Sequence, residues 1–288
     1  MHCLRPLSIA LVALVSPFAL GATGDKSGTL AAQSPASTQG PAAATATDAR
    51  AAMGEILKSA EPLKELGVFV DATSQPGLPG EREPRLQIVG EIRHEGRPLR
   101  AVGFEVADEQ GRVALDAVDM PPVLKYIDDR RVLYTVASNL APGKYVMKLG
   151  ALDEEGRRGS VTHDFEVRAF GDGDPRVGDL ILGDVVRGVF RPSAHIEAGA
   201  ARLGVRLEVT AESRDAFQGL SVEVQIAPRG GDPIGRETLA LGSTGEKTVR
   251  GGAVLFDLST WESGDYVVTA IVSGPTGEVA RRERAFRK

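Results

Sequence analysis

Four aspartates crowd one short stretch of this 288-residue chain: Asp172, Asp174, Asp179 and Asp184. Calcium takes six to eight oxygen ligands, so carboxylates between two domains are candidate ligands for an ion that clamps them together. The spacing is not that of an EF-hand loop, because no glutamate occupies its twelfth position. Asp and Gly are also the ordinary residues of a polar, turn-forming linker, which is the competing reading. His94, His163 and His195 fall in different turns or strands and share no metal-ligand spacing, so they read as unrelated surface histidines. His195-Ile196-Glu197 is not part of an HExxH helix. Ser193 and His195 are two residues apart with no acid partner nearby, and no GxSxG elbow is present. Gly242-Ser243-Thr244-Gly245-Glu246-Lys247-Thr248 has the glycines of a phosphate loop but lacks Gly directly before Lys, and it reads as a hairpin turn. No catalytic residue and no cofactor site is expected.

What must position these residues is a repeated β unit. Gly67-Val68-Phe69 recurs as Gly188-Val189-Phe190, and Arg85-Leu86-Gln87-Ile88 as Arg206-Leu207-Glu208-Val209. Gly143-Lys144-Tyr145-Val146 recurs as Gly264-Asp265-Tyr266-Val267, and Gly156 and Phe165 as Gly277 and Phe286. Every pair is 121 positions apart, the mark of a tandem duplication. Within each copy apolar residues alternate with polar ones, as in Val102, Phe104, Val106 and in Val205, Leu207, Val209. Turn sequences such as Asp108-Glu109-Gln110-Gly111 and Gly230-Gly231-Asp232-Pro233 punctuate them. Short strands with regular turns predict two tandem immunoglobulin-like antiparallel sandwiches, over 67–168 and 188–288, joined by a linker at 169–187. Leu180-Ile181-Leu182 in that linker either adds a strand or docks on a domain edge.

Leu140-Ala141-Pro142-Gly143-Lys144-Tyr145 and Trp261-Glu262-Ser263-Gly264-Asp265-Tyr266 resemble the tyrosine corner of immunoglobulin-like and fibronectin-like domains. There the ring is buried and its hydroxyl satisfies a backbone group. Tyr145 and Tyr266 are therefore expected to be structural. Trp261 stands where Leu140 stands in the first copy, so a core position is expected rather than a platform for sugar.

Upstream, Arg5, the apolar run Leu7 to Val15 and Ala19-Leu20-Gly21 have the layout of an export signal over 1–22. The run is shorter than the roughly 20 residues of a membrane span; an uncleaved anchor is the alternative. Cys3, the only cysteine, precedes the apolar core. It cannot be a lipidated cysteine after the signal, and disulfides, cysteine–zinc sites and thiol nucleophiles are excluded. Residues 23–47 are rich in Ala, Thr, Ser, Gly, Gln and Pro, a composition that predicts a disordered linker. Over 48–66, Asp48 reads as an N-cap, Met53, Ile56, Leu57 and Ala60 follow at helical spacing, and Pro62 stops the run. That helix packs on the first sandwich or binds a partner. The formal net charge of −5, with both signs interspersed, is not a track for nucleic acid.

Asp179-Leu180-Ile181-Leu182-Gly183-Asp184, followed by Phe190-Arg191-Pro192, resembles a region of secreted bacterial proteins related to the von Willebrand factor type A group. Leu140 to Tyr145 and Asp153-Glu154-Glu155-Gly156-Arg157-Arg158-Gly159 resemble it too. The similarity covers the β-rich C-terminal part of those proteins, from Leu57 onward here. Their metal-binding Asp-x-Ser-x-Ser motif is missing, since Asp71-Ala72-Thr73-Ser74-Gln75 departs at the key serines. The resemblance implies an exported, noncatalytic accessory module, and metal-dependent adhesion does not carry over. The expectation is a periplasmic or secreted protein that binds or scaffolds another envelope or extracellular protein, with no membrane span once the signal is cleaved. The competing expectations are an envelope-polymer hydrolase or its accessory subunit, and a structural spacer.

Overall fold

The computed structural model describes residues 41–81 and 83–288. The expected signal at 1–22, Cys3 and the tether as far as residue 40 lie outside the described residues. The chain is all-β apart from one helix, α1 (Pro41–Lys58), and one turn of 3-10 helix at Asp215–Phe217. Helix α1 starts ahead of Asp48, where the capping signal placed it. Residues 42–47 are four Ala and two Thr after a Pro at the first helical position, and alanine's high propensity carries the helix upstream. Among the described residues no helix is long and apolar enough to cross a membrane.

In chain order the first sandwich contains β1 (Gly67–Gln75), β2 (Arg85–Arg93), β3 (Leu99–Asp108), β4 (Val113–Asp119), β5 (Lys125–Tyr126), β6 (Arg131–Asn139), β7 (Gly143–Asp153) and β8 (Arg158–Val167). They form two antiparallel sheets, ordered β1-β2-β6-β5 and β4-β3-β7-β8. The period-two pattern sends Leu86, Ile88 and Ile92 of one sheet against Val102, Phe104, Met147 and Leu149 of the other. Each such side chain contributes about 1.5–3 kcal/mol by leaving water.

The second sandwich contains β9 (Arg176–Val177), β10 (Ile181–Val186), β11 (Val189–Pro192), β12 (Arg202–Thr210), β13 (Ser221–Pro228), β14 (Gly235–Thr238), β15 (Gly242–Ser243), β16 (Val249–Asp257), β17 (Asp265–Gly274) and β18 (Gly277–Arg287). One sheet runs β11-β10-β12-β16-β15, with β9 also pairing β12, and the other β14-β13-β17-β18. The region 169–187, read from sequence as a linker, therefore supplies two strands of this sheet. Leu180 and Leu182 sit in its core. The turn after Gly242 is the expected hairpin, with Ser243 opposite Arg250.

The duplication is kept at one end and lost at the other. Tyr145 pairs with Phe165 across β7 and β8, and Tyr266 pairs with Phe286 across β17 and β18, in the same register. The opening repeat behaves differently. Gly67-Val68-Phe69 starts β1, the direct neighbour of β2. Gly188-Val189-Phe190 enters β11, which lies one strand further out because β10 occupies the place beside β12.

Helix α1 lies on the outer face of the β4-β3-β7-β8 sheet. Ala49, Met53 and Ile56 form its buried stripe against Ala101 and Leu152. The sheet makes room with two glycines that face each other. A Cβ on Gly103 would stand 2.7 Å from Met53 Cγ, and one on Gly150 would stand 2.6 Å from Ile56 Cγ2. Of the two roles considered for this helix, it takes the packing one.

Candidate functional site

The largest concentration of polar chemistry lies where the outer face of β1 and β2 meets the second sandwich. In β1 the core takes Val68 and Val70, so Phe69, Asp71 and Thr73 point away from it. A solvated face is the usual fate of such residues, yet Asp71 and Thr73 are buried, as is Glu91 on β2, which is 0% exposed. The second sandwich covers them.

The contacts across this seam interlock by charge and by stacking. The Phe69 ring is held between two groups. His195 stacks on it with centroids 4.5 Å apart, and the Arg93 guanidinium sits 4.7 Å from its centroid. Arg93 also pairs with Glu197. Ser193 Oγ donates to Glu91 Oε2 at 3.0 Å, and Arg131 approaches Glu91 at 3.7 Å and Glu197 at 3.9 Å. Arg284 pairs with Asp71 and donates to the Leu180 carbonyl at 2.7 Å. Arg85 lies 3.6 Å from Glu208. Cations of the first sandwich thus face Glu197 and Glu208, while its buried Asp71 meets Arg284. A cleft of about 180 Å³ opens beside the seam, lined by Ser193, His195, Ile196 and Arg284 among others.

Asp179 is the tie between the two units. Its Oδ2 accepts from the Ser74 amide at 2.9 Å and its Oδ1 from Arg168 Nε at 3.1 Å. Its own amide donates to the Ser74 carbonyl at 2.9 Å, and its carbonyl accepts from Gln75 Nε2 at 3.2 Å. Next to it, a Cβ on Gly178 would clash with Gln75 Oε1, so a side chain there would displace the Gln75 amide. The other three aspartates go elsewhere. Asp174 accepts from the Glu212 amide at 3.1 Å, Asp184 pairs with Arg202 at 3.3 Å, and Asp172 is exposed. Among the described residues no cluster of three or more His, Cys, Asp or Glu side chains could hold a metal, so these four carboxylates are not gathered at one point.

The histidines are not alike. His94 is buried, 4% exposed, edge-on to Tyr126 at 6.1 Å, with neither ring nitrogen hydrogen-bonded within the protein. His163 is half-buried and stacks on Phe165 at 6.3 Å. His195 belongs to the seam. The expectation of three surface histidines is corrected at His94, whose place in the strand alternation follows the core residue Ile92. The fold does bring Ser193, His195 and Glu91 together. The hydroxyl serves Glu91 and the His195 carbonyl, and the imidazole is flat against Phe69 rather than aimed at the hydroxyl.

Two further acids are turn fittings. Asp153 Oδ1 accepts from the amides of Glu155 and Arg157 at 3.0 and 2.8 Å, and its Oδ2 from Arg157 Nε at 2.7 Å. Asp108 repeats the arrangement with Gln110 and Arg112, which holds its carboxyl below the usual range. Both tyrosine corners form as expected. Tyr145 donates to the Ala141 carbonyl at 2.9 Å and Tyr266 to the Glu262 carbonyl at 2.7 Å. Trp261 packs against the second core, 5.6 Å from the Tyr266 ring. Burial, then the charge of Arg168, pushes the Arg282 guanidinium down from its ordinary range, while its head donates to the Val177 carbonyl.

Sequence reading missed Phe69, Asp71, Glu91 and Arg284. The available signal was an aromatic and a carboxylate alternating with Val68 and Val70, on the face that a lone sandwich leaves to water.

No protein-family model and no curated protein matches the chain. Among solved structures it is similar to dimeric latent PorU from Porphyromonas gingivalis, at 15% identity and a TM-score of 0.32, over 79% of this chain and 20% of that one. It is similar to a tetra-tandem repeat in the extending region of a large adhesion protein, at 11% identity and a TM-score of 0.24, over 77% of this chain and 49% of that one. The C-terminal domain of the Streptococcus pyogenes antigen I/II-family protein AspA is similar at 7% identity and a TM-score of 0.24, over 77% of this chain and 99% of that one. At TM-scores this low, nothing about this chain's activity or partners is inferred from them.

Proposed function

We propose that this is an exported, noncatalytic binding or scaffolding protein of the cell envelope or extracellular space, whose two sandwiches act as one stiff platform. The observation that supports the reading is the seam. Contacts between tandem domains are by default small and mobile. Here a carboxylate with no exposure, the stacking of His195 on the Phe69 ring and a doubly bonded backbone at Ser74 and Asp179 all depend on one relative placement of the domains. Removing one partner while the seam stays closed would leave Glu91 or Asp71 uncompensated, which is costly. A platform of this kind presents loops and sheet edges at fixed separation, the property a scaffold needs. The leader-like start of the chain supports export, and an envelope or extracellular protein is the expected partner class.

Small-angle scattering tests the platform. The intact protein is expected to give a single rigid envelope at low and moderate salt. The double variant Glu91→Ala, Arg284→Ala is expected to raise the radius of gyration while both sandwiches stay folded by circular dichroism. A wild-type curve that requires a freely jointed ensemble overturns the reading.

A further inference from the structure

Resting on the binding reading above, we infer that β4 is an open docking edge for an extended segment of a partner protein, one that carries Lys or Arg opposite Asp116 and aliphatic residues at the alternate positions.

Long sheet edges are normally covered, because their unpaired N–H and C=O groups recruit other strands. Elsewhere in this molecule they are attended. Edge strand β1 is bonded at Ser74 by Asp179. The β8 edge is met by Leu63 and Leu66, which bond Ser160 and Arg158. The flank of β18 is turned to the segment before β10, where Arg282 and Arg284 bond the Val177 and Leu180 carbonyls, although no hydrogen bond among the described residues reaches its own outward backbone. The edge strands β5, β11, β14 and β15 have two to four residues each. Strand β4 has seven, pairs only with β3, and among the described residues no hydrogen bond reaches its outward side.

The charge row points to what is missing. Across the sheet Lys148 stands opposite Glu105, and Glu105 stands opposite Asp116. Two carboxylates directly opposed in an antiparallel pair repel. Asp116 is exposed and has no cation among the described residues, and the run from Val113 to Leu124 contains no Lys or Arg. A basic side chain from an added strand would stand beside Asp116 and offset the repulsion between the two carboxylates. The same feature disfavours a second copy of β4, since pairing centred on Asp116 sets carboxylate against carboxylate.

The apolar requirement comes from the other side of the strand. Strands β1 and β8 adjoin at one flank of the sandwich, so the β4 and β5 edges share the opposite flank. Three of the exposed large apolar residues of the first sandwich lie in these two strands and their connection: Val113 at 52%, Val123 at 73% and Tyr126 at 68% exposed. Strand addition supplies backbone bonds for affinity and alternate side chains for specificity. That matches an edge with Asp116 on one face and, on the other, Leu115 and Ala117 turned toward the core beside the flank shared with β5.

The test titrates the full chain with a synthetic peptide of alternating Val and Lys, about eight residues long, and with its Val–Glu counterpart. Amide hydrogen exchange reads which strand is protected. The Val–Lys peptide is expected to protect β4 amides, and Asp116→Lys to weaken its binding about tenfold. The Val–Glu peptide is expected to leave β4 unprotected. Asp116→Asn, an exposed near-isosteric change, keeps the result readable if the lysine variant misfolds and is expected to weaken binding less. Equal protection by both peptides, protection of another edge, no protection at all, or concentration-dependent protection of β4 without peptide would each overturn the inference. None of these would disturb the scattering result on the free protein, so the platform and the edge fail separately.

Discussion

At the scale of single residues, the two corner tyrosines were legible before any coordinates because their signature is local. An apolar anchor, a glycine turn and a tyrosine at the start of a strand fix both ring and hydroxyl within a few positions. Tyr145→Phe and Tyr266→Phe are each expected to cost about 1 kcal/mol by leaving a carbonyl without its donor. The two losses are expected to add, since the residues lie in separate sandwiches. Urea midpoints at unchanged slope check this. Tyr134 was not legible as special, because its partner Asp119 comes from a strand of the other sheet; the hydroxyl donates to Asp119 Oδ2 at 2.6 Å. Burial, then that carboxylate, pushes its ionisation far above the ordinary value of 10.0, and burial moves Tyr145 the same way. The unfolded chain sheds these protons from about pH 10 while the folded chain keeps them. The stabilisation is thus complete below about pH 10 and is lost as pH rises beyond it. Melting temperatures across the alkaline range are expected to fall more steeply for wild type than for Tyr134→Phe.

At the scale of elements, alternation located nearly every long strand, and the helical stripe from Met53 to Leu57 located α1. What the pattern missed has a common physical cause. The beginning of α1 was set by alanine propensity upstream of a plausible cap, so Asp48 lies inside the helix instead of opening it. Strand β10 was read only as one of two roles for Leu180-Ile181-Leu182, because that run sits among glycines and aspartates that read as a linker. The helix seat was hidden, since Gly103 and Gly150 matter only through what approaches them from a distant part of the chain. Met53→Ala is expected to cost about 2–4 kcal/mol, the range for emptying a buried methionine site. Amide exchange is expected to speed up along α1 while β3 and β7 keep their protection, whereas Arg50→Ala, on the exposed face, changes neither.

At the scale of the whole molecule, the seam could not be read from one sequence, because an outward-facing Glu91 looks solvated until another domain is placed on it. The aspartate-rich stretch shows the same limit. Composition suggested ion ligands, and the fold gives Asp179 an amide and a guanidinium to hold. With both of its oxygens engaged, added calcium or a chelator is expected to leave the melting temperature unchanged; a calcium-dependent rise would show a site that these contacts do not describe. The placement of β10 between β11 and β12 carries a last consequence, for the ancestry and the dissection of this chain. The stretch that was copied and the stretch that folds are offset from one another. A fragment excised where the repeat begins, at Gly188, would leave β9 and β10 behind and expose the bare flank of β12. The second half depends on material lying before its own first repeated residue, so a cut at the repeat boundary would not yield two self-sufficient proteins.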